Sequence, residues 1–219
     1  METGETKKRA VLLGHPETSH LRNVMDPPLM ERVARRVALH PAILGPDGPA
    51  TTEDREAAAS AEIAFSSWGM AAFPDAILAS RFPRLRILFH AAGTVQAFAA
   101  PFLDRGVRVS SAASANAVPV AQFAAAMILL ANKDIFRIGS GDPAVAWARR
   151  NRVDACPGNY RTPVGILGFG AIGSRVVDLL APMGLDPWVY DPFMSPDAIR
   201  RRGGRPATLE AVFSGCRTI

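Results

Sequence analysis

A short apolar run, Val164–Leu167, passes directly into Gly168-Phe169-Gly170-Ala171-Ile172-Gly173. Few local patterns restrict a backbone as tightly. A strand must turn sharply into a helix that packs against it, and each glycine has its own task. Gly168 permits the turn, Gly170 presents bare backbone, and Gly173 lets the helix lie close to the sheet. Ala171–Met183 follows, with Ile172, Val176, Leu179, Leu180 and Met183 on one face, the spacing of an amphipathic helix. A second apolar run, Pro187–Tyr190, ends at Asp191. Strand, glycine turn, helix, strand and terminal acid, in that order, form a dinucleotide-binding fingerprint. The Ala171 and Ile172 amides at the helix start suit a phosphate. A carboxylate at Asp191 suits ribose hydroxyls and repels a 2′-phosphate, and no arginine follows it directly. That combination favours NAD over NADP.

The first half alternates strand-like and helix-like stretches. Strands are expected at Ala10–Leu13, Ile43-Leu44, Glu62–Trp68, Leu85–Phe89 and Val107–Ser110. Helices are expected at Pro28–Leu39, which Pro41 ends, then after Thr51-Thr52-Glu53-Asp54, and at Pro74–Ser80 and Val95–Asp104. Strands separated by helices imply a parallel α/β sheet, here a small doubly wound domain. Ala117–Ala131 is apolar almost all round and reads as a helix buried on most sides, with Pro119 in its first turn. Arg137–Tyr160 reads as an irregular connection with a short helix at Ala144–Arg150. After Pro187–Tyr190, helices are expected at Ser195–Arg202 and Leu209–Phe213, and a further strand from Arg217. The resulting division is residues 1–116, a connecting helix and loop at 117–161, and a second domain at 162–219.

Net charge is +5, with its clearest cluster at Arg200-Arg201-Arg202 and Arg205. No aromatic or groove-reading pattern accompanies it, so a solvated helix end is preferred to a nucleic-acid patch. Cys156 and Cys216 form no CxxC pair and read as free thiols, with no metal site. No signal peptide is evident and no apolar run reaches the ~18 residues of a membrane span, so a cytoplasmic location is expected. His15 and His90 fall near strand ends, while His20 and His40 fall in polar or turn-like contexts.

Four stretches together resemble the D-isomer-specific 2-hydroxyacid dehydrogenases: LRILFHAAGTVQ (85–96), VSSAASANAVPVAQFAAAMILL (109–130), PVGILGFGAIGSRVV (163–177) and WVYDP (188–192). The resemblance implies a flavodoxin-like, doubly wound substrate domain followed by an incomplete Rossmann NAD-binding domain. It implies that the amides of Ala92, Gly93 and Thr94 bind a substrate carboxylate. It also implies that Gly168, Gly170, Ala171, Ile172, Gly173 and Asp191 bind NAD. The chain departs from the family's pattern at Ala91, at Val95-Gln96 and at Gln122, which marks a divergent branch.

The implied activity is reversible hydride transfer between nicotinamide and C2 of a small 2-hydroxy or 2-oxo acid, in a homodimer that binds neither nucleic acid nor membrane. The family's catalytic Arg, Glu and His fall after the strand expected at Arg217, so the resemblance places none of them on this chain. No turnover is then expected from it. The alternative is a non-catalytic, corepressor-like NAD-binding protein.

Overall fold

The computed structural model describes residues 6–18, 20–49, 51–138, 156 and 158–219. They belong to two compact units, Met1–Ala115 and Asn116–Ile219. Most of the connection expected at 137–160, including its helix at 144–150, lies outside the described residues.

The first unit is a five-stranded parallel sheet in the order β2-β1-β3-β4-β5. Its strands are β1 (Arg9–Leu13), β2 (Ala38–Leu44), β3 (Ile63–Ser66), β4 (Ile87–His90) and β5 (Arg108–Ser111). A parallel sheet has to be covered on both faces, and the side chains of β1 divide accordingly. Val11 and Leu13 join a core with Ala58, Leu78, Leu88 and Phe102, which belong to α3 (Thr52–Ser60), α4 (Asp75–Arg81), β4 and α5 (Ala100–Asp104). Leu12 faces the other way, onto Leu21 and Met25, with Leu29 and Val33 beside them. These come from α1 (Leu21–Val24), α2 (Pro27–Ala34) and the bend between the two helices.

Local chemistry fixes the helix starts. Asp26 caps α2 by accepting from the Leu29 amide at 2.9 Å, with Pro27 in the first turn. Thr51 and Asp54 form a reciprocal capping box on α3, at 3.1 and 2.9 Å.

The helix expected at Pro28–Leu39 stops instead at Ala34, and Ala38–Leu44 is strand β2. Pro41 does not end a helix; it sits inside a strand. It lacks an N–H and suits an edge strand, and β2 is one of the two edges of this sheet. Pairing skips around it, from Ala10↔Leu39 to Leu12↔Ile43. Of the expected helix Val95–Asp104, Ala100–Asp104 is α-helical.

The second unit pairs β6 (Pro163–Leu167), β7 (Asp186–Tyr190) and β8 (Arg205–Pro206) in parallel, in that order. On the free side of β6, Thr218 makes a parallel bridge to Val164, and its carbonyl accepts from the Gly165 amide at 2.9 Å. The strand expected from Arg217 is thus a single bridge. Helices α8 (Gly173–Leu180), α9 (Pro196–Arg201) and α10 (Leu209–Gly215) alternate with the strands. A 3-10 turn at Ala181–Met183 closes α8, with Gly184 left-handed at φ 70° behind it.

Helix α6 spans Ala113–Asn132, 20 residues, and is followed by a single turn, α7 (Ile135–Ile138). Ala121, Ala125 and Ile128 pack with Val164, Val176, Val177, Leu180 and Val189 in the core of the second unit. Two expectations about α6 are corrected. The Ser111 hydroxyl accepts from the Ala113 amide, so the helix starts earlier and Pro119 lies inside it. Burial is a stripe of Ala117, Ala121, Ala125, Ile128 and Asn132, while Val118, Val120, Leu130 and above all Phe123 (67% exposed) face solvent. The helix has no charged residue and is long and apolar enough to cross a membrane by length and composition, contrary to the sequence reading.

The arginine cluster is largely paired: Arg200 with Asp197, Arg202 with Asp178, and Arg205 with Asp186 and over the Trp188 ring at 4.3 Å. Cys156 and Cys216 are free thiols, and burial raises the Cys216 pKa.

The capping box gives a direct stability test. Thr51→Ala removes the acceptor for the Asp54 amide and should cost about 1 kcal/mol, read as a lower denaturant midpoint. Thr51→Ser should retain most of it. An unchanged midpoint in the alanine variant would show that the cap contributes nothing.

Candidate functional site

The turn between β6 and α8 is built from its glycines. Gly168 is left-handed, at φ 94°, and its amide donates to the Tyr190 carbonyl at the end of β7, at 2.8 Å. A Cβ at Gly173 would lie 2.0 Å from the Gly168 carbonyl oxygen. The start of α8 therefore touches the turn that precedes it, and only glycine fits. Gly170 differs: a Cβ there would meet nothing within 4 Å. Its lack of a side chain fills no need of the protein's own packing and leaves bare backbone open to a ligand.

The regular helix begins at Gly173, two residues after the expected start at Ala171. The preceding turn is already wound, because the Ser174 amide and hydroxyl both donate to the Gly170 carbonyl, at 3.1 and 2.7 Å. Among the described residues, the amides of Gly170, Ala171 and Ile172 have no protein acceptor. Unpaired amides at a helix start attract anions.

Asp191 is more heavily engaged than the spacing alone suggests. Its Oδ2 accepts from the Phe169 amide at 2.6 Å, and its Oδ1 accepts from Phe193 at 2.8 Å and Met194 at 3.0 Å. The Phe169 amide, then Phe193 and Met194, hold the carboxyl below its ordinary pKa against the opposing effect of burial. An ionised carboxylate has roughly four acceptor positions, so capacity for one more bond remains, on the oxygen that holds the glycine turn. Sequence reasoning found the acid but missed this tie, because backbone donors carry no residue signature.

In the first unit the strand order reverses between β1 and β3, the switch point where such sheets place ligands. The loops leaving these strands are joined by His15 N–H to the Gly69 carbonyl and His20 N–H to the Trp68 carbonyl, at 3.2 and 3.0 Å. The loop after β4 is anchored by the Ala91 amide on the Ser66 carbonyl, at 2.8 Å. Past that anchor, the amides of Ala92, Gly93 and Thr94 have no protein acceptor among the described residues. Ala92 is buried and Thr94 exposed. Three successive free amides make a concave anion-binding backbone possible without a charged side chain.

His90 underlies this loop. It is buried, bonds Ser66 Oγ through Nδ1 at 2.9 Å, and packs on the Phe98 ring at 4.9 Å. Burial lowers its pKa from 6.5, so it is neutral at pH 7 and supports the loop from below. His40, read as a turn residue, instead bonds Asp54 at 2.7 Å, with both side chains largely buried. A histidine–carboxylate pair can serve acid–base chemistry, but Asp54 is already committed to the α3 cap. The pair fastens β2 to α3. Its hydrogen bond is the first cause of the lowered Asp54 pKa.

Strand order, glycine turn and terminal acid make the second unit a Rossmann-type dinucleotide-binding domain. The family model of the D-isomer specific 2-hydroxyacid dehydrogenase, NAD binding domain, matches residues 125–219. The chain is 26% identical over 132 residues to D-3-phosphoglycerate dehydrogenase of Synechocystis, covering 60% of this chain and 24% of that protein. A phosphoglycerate oxidoreductase from Rhizobium etli superposes with a TM-score of 0.67 at 19% identity, over 94% of this chain and 63% of its own. D-lactate dehydrogenase from Aquifex aeolicus, solved with NAD and lactic acid, gives 0.62 at 19% identity, over 94% and 58%. At such identities the superpositions establish the fold. The chain spans about a quarter of the curated relative and about three-fifths of these two solved structures.

Two measurements follow. Gly173→Ala should destabilise the second unit by about 1–3 kcal/mol, because the new methyl meets backbone; an unshifted unfolding midpoint would contradict the close approach. For His90 the folded pKa lies below the unfolded one, so the unfolded state binds the proton more readily. Its stabilising effect is complete above 6.5 and is lost as pH falls from 6.5 toward the folded value. Denaturation at pH 7.5 and 5.5 should show this decline, and His90→Gln should flatten it. An equal slope in both proteins would rule out His90 as its source.

Proposed function

We propose that the second unit binds NAD. We propose further that this chain carries the cofactor and carboxylate sites of an oxidoreductase acting on small 2-hydroxy or 2-oxo acids. The observation that carries the reading is the Asp191 carboxylate bonded to the Phe169 amide within the glycine turn. It fixes a negative charge where a nucleotide ribose would lie, which favours NAD and opposes a 2′-phosphate. The bare Gly170 and the free Ala171 and Ile172 amides suit the pyrophosphate. Bound NAD supplies hydride transfer between nicotinamide C4 and substrate C2.

The free amides of Ala92, Gly93 and Thr94 are assigned the substrate carboxylate, which the 2-hydroxy acids named for several similar dehydrogenases share. For the chain as given we expect binding without turnover. Among the described residues, the His40–Asp54 pair is occupied with the α3 cap and His90 is buried beneath its loop. The same reading places the protein in the cytoplasm as a homodimer, with the exposed apolar side chains of α6 as contact surface.

Calorimetric titration tests the cofactor assignment. NAD should bind more tightly than NADP, and Asp191→Ala should weaken NAD by tenfold or more and reduce that preference. No NAD binding, or a preference for NADP, would sink the assignment. Purified chain should not oxidise NADH in the presence of 2-oxo acids; sustained oxidation would overturn the expectation of an inactive chain.

A further inference from the structure

We infer that half of one face of the first sheet is a docking groove for a partner protein's helix, one whose apolar stripe is flanked by carboxylates. The two faces of this sheet are covered unequally. On one, α3, α4 and α5 close over the core that holds Leu88 and Phe102. On the other, α1, α2 and the bend between them place Leu21, Met25 and Val33 over Leu12 and Phe65, and that cover reaches only β3. Side chains alternate along a strand, so Ile87 and Phe89 of β4 lie on this second face, opposite the buried Leu88. By register they stand beside Arg108 and Ser110 of β5. Phe89 is 39% exposed, and its ring stacks on Phe65 at 5.7 Å.

A parallel sheet normally has helices on both faces, and the bare strip has the width of one. Strands lie about 4.8 Å apart and a helix is about 10 Å across, so a single helix would cover β4 and β5. An acyl chain is too narrow to do so. The strip forms two hollows of about 270 and 320 Å³ that share Leu29, Val33, Phe65 and Phe89. Arg32 and Arg36 are the charged residues that line them, and no carboxylate does. Among the described residues, Arg32, Arg36 and Arg108 have no ion-pair partner. An apolar floor with an unpaired cationic border selects its occupant by charge. A second copy would bring the same arginines together, and like charges across an interface repel. Helix α6 has no charged residue to offer them. A helix seats itself in such a groove through apolar side chains at i, i+3, i+4 and i+7, and acids on its flanks would meet the arginines.

The probe is a fluorescein-labelled synthetic helix with leucine at those spacings and glutamate on both flanks, read by anisotropy on the full chain. It should bind, and its twin with lysine in place of glutamate should bind on the order of tenfold more weakly. Arg32→Glu combined with Arg36→Glu should reverse that preference. Both side chains are exposed, so the thermal midpoint should hold. Ser110→Trp, also at an exposed position, should fill the groove and weaken the glutamate peptide. Equal affinity for the two peptides, a preference that the arginine variant does not reverse, or a glutamate peptide that fails to bind overturns the proposal. Self-association abolished by Ser110→Trp would seat a second copy on this face, and palmitate binding without peptide binding would make it an acyl site. Either result overturns the helix.

Discussion

One carboxylate organises the second unit. Asp191 leaves the end of β7 and takes amides from both sides, Phe169 from the turn after β6 and Phe193 and Met194 from its own loop. Hydrogen bonds to an ionised acceptor are roughly twice as strong as neutral ones, and the one from Phe169 joins two neighbouring strand ends, beside the backbone bond from the Gly168 amide to the Tyr190 carbonyl. The entry angle of α8 follows from that joint, and Gly173 lets the helix occupy it. The unpaired amides, the open space at Gly170 and the exposed Phe193 ring are arranged around this acid.

The parts legible in the sequence were those in which a residue type is itself the mechanical part. Gly168 and Gly173 are glycines because of a positive φ and a 2.0 Å approach, and both could be read before any fold was known. The capping box at Thr51 and Asp54 was readable as a helix start for the same reason. What escaped was decided by partners distant in sequence. His40 meets Asp54 because β2 and α3 lie together, and no spacing rule announces it. Leu39 and Val37 continue a helical period, yet Leu39 pairs with Ala10, because a place in the sheet outweighs local periodicity.

Helix α6 shows the limit of composition as a guide. A sequence of small and large apolar residues without charge suggests burial all round, but the structure buries a stripe dominated by alanine. Small residues let a helix approach the strands beneath it, while Phe123 and Leu130 are left on the outside. In the first unit the corresponding subtlety is His90. It stands at the end of a buried strand, and its bond to Ser66 and contact with Phe98 make it part of the floor under the Ala92–Thr94 loop.

Two of the prolines within strands, those on outer strands, have a consequence for colloidal behaviour. Pro41 lies in β2 and Pro206 in β8, each the outermost strand on one side of its sheet. An open strand edge is a template on which other chains can add, and a residue without an N–H interrupts that template. The bulge around Pro41 breaks the regular repeat further. Each sheet thus carries, on one of its outer borders, a built-in obstacle to edge-to-edge aggregation.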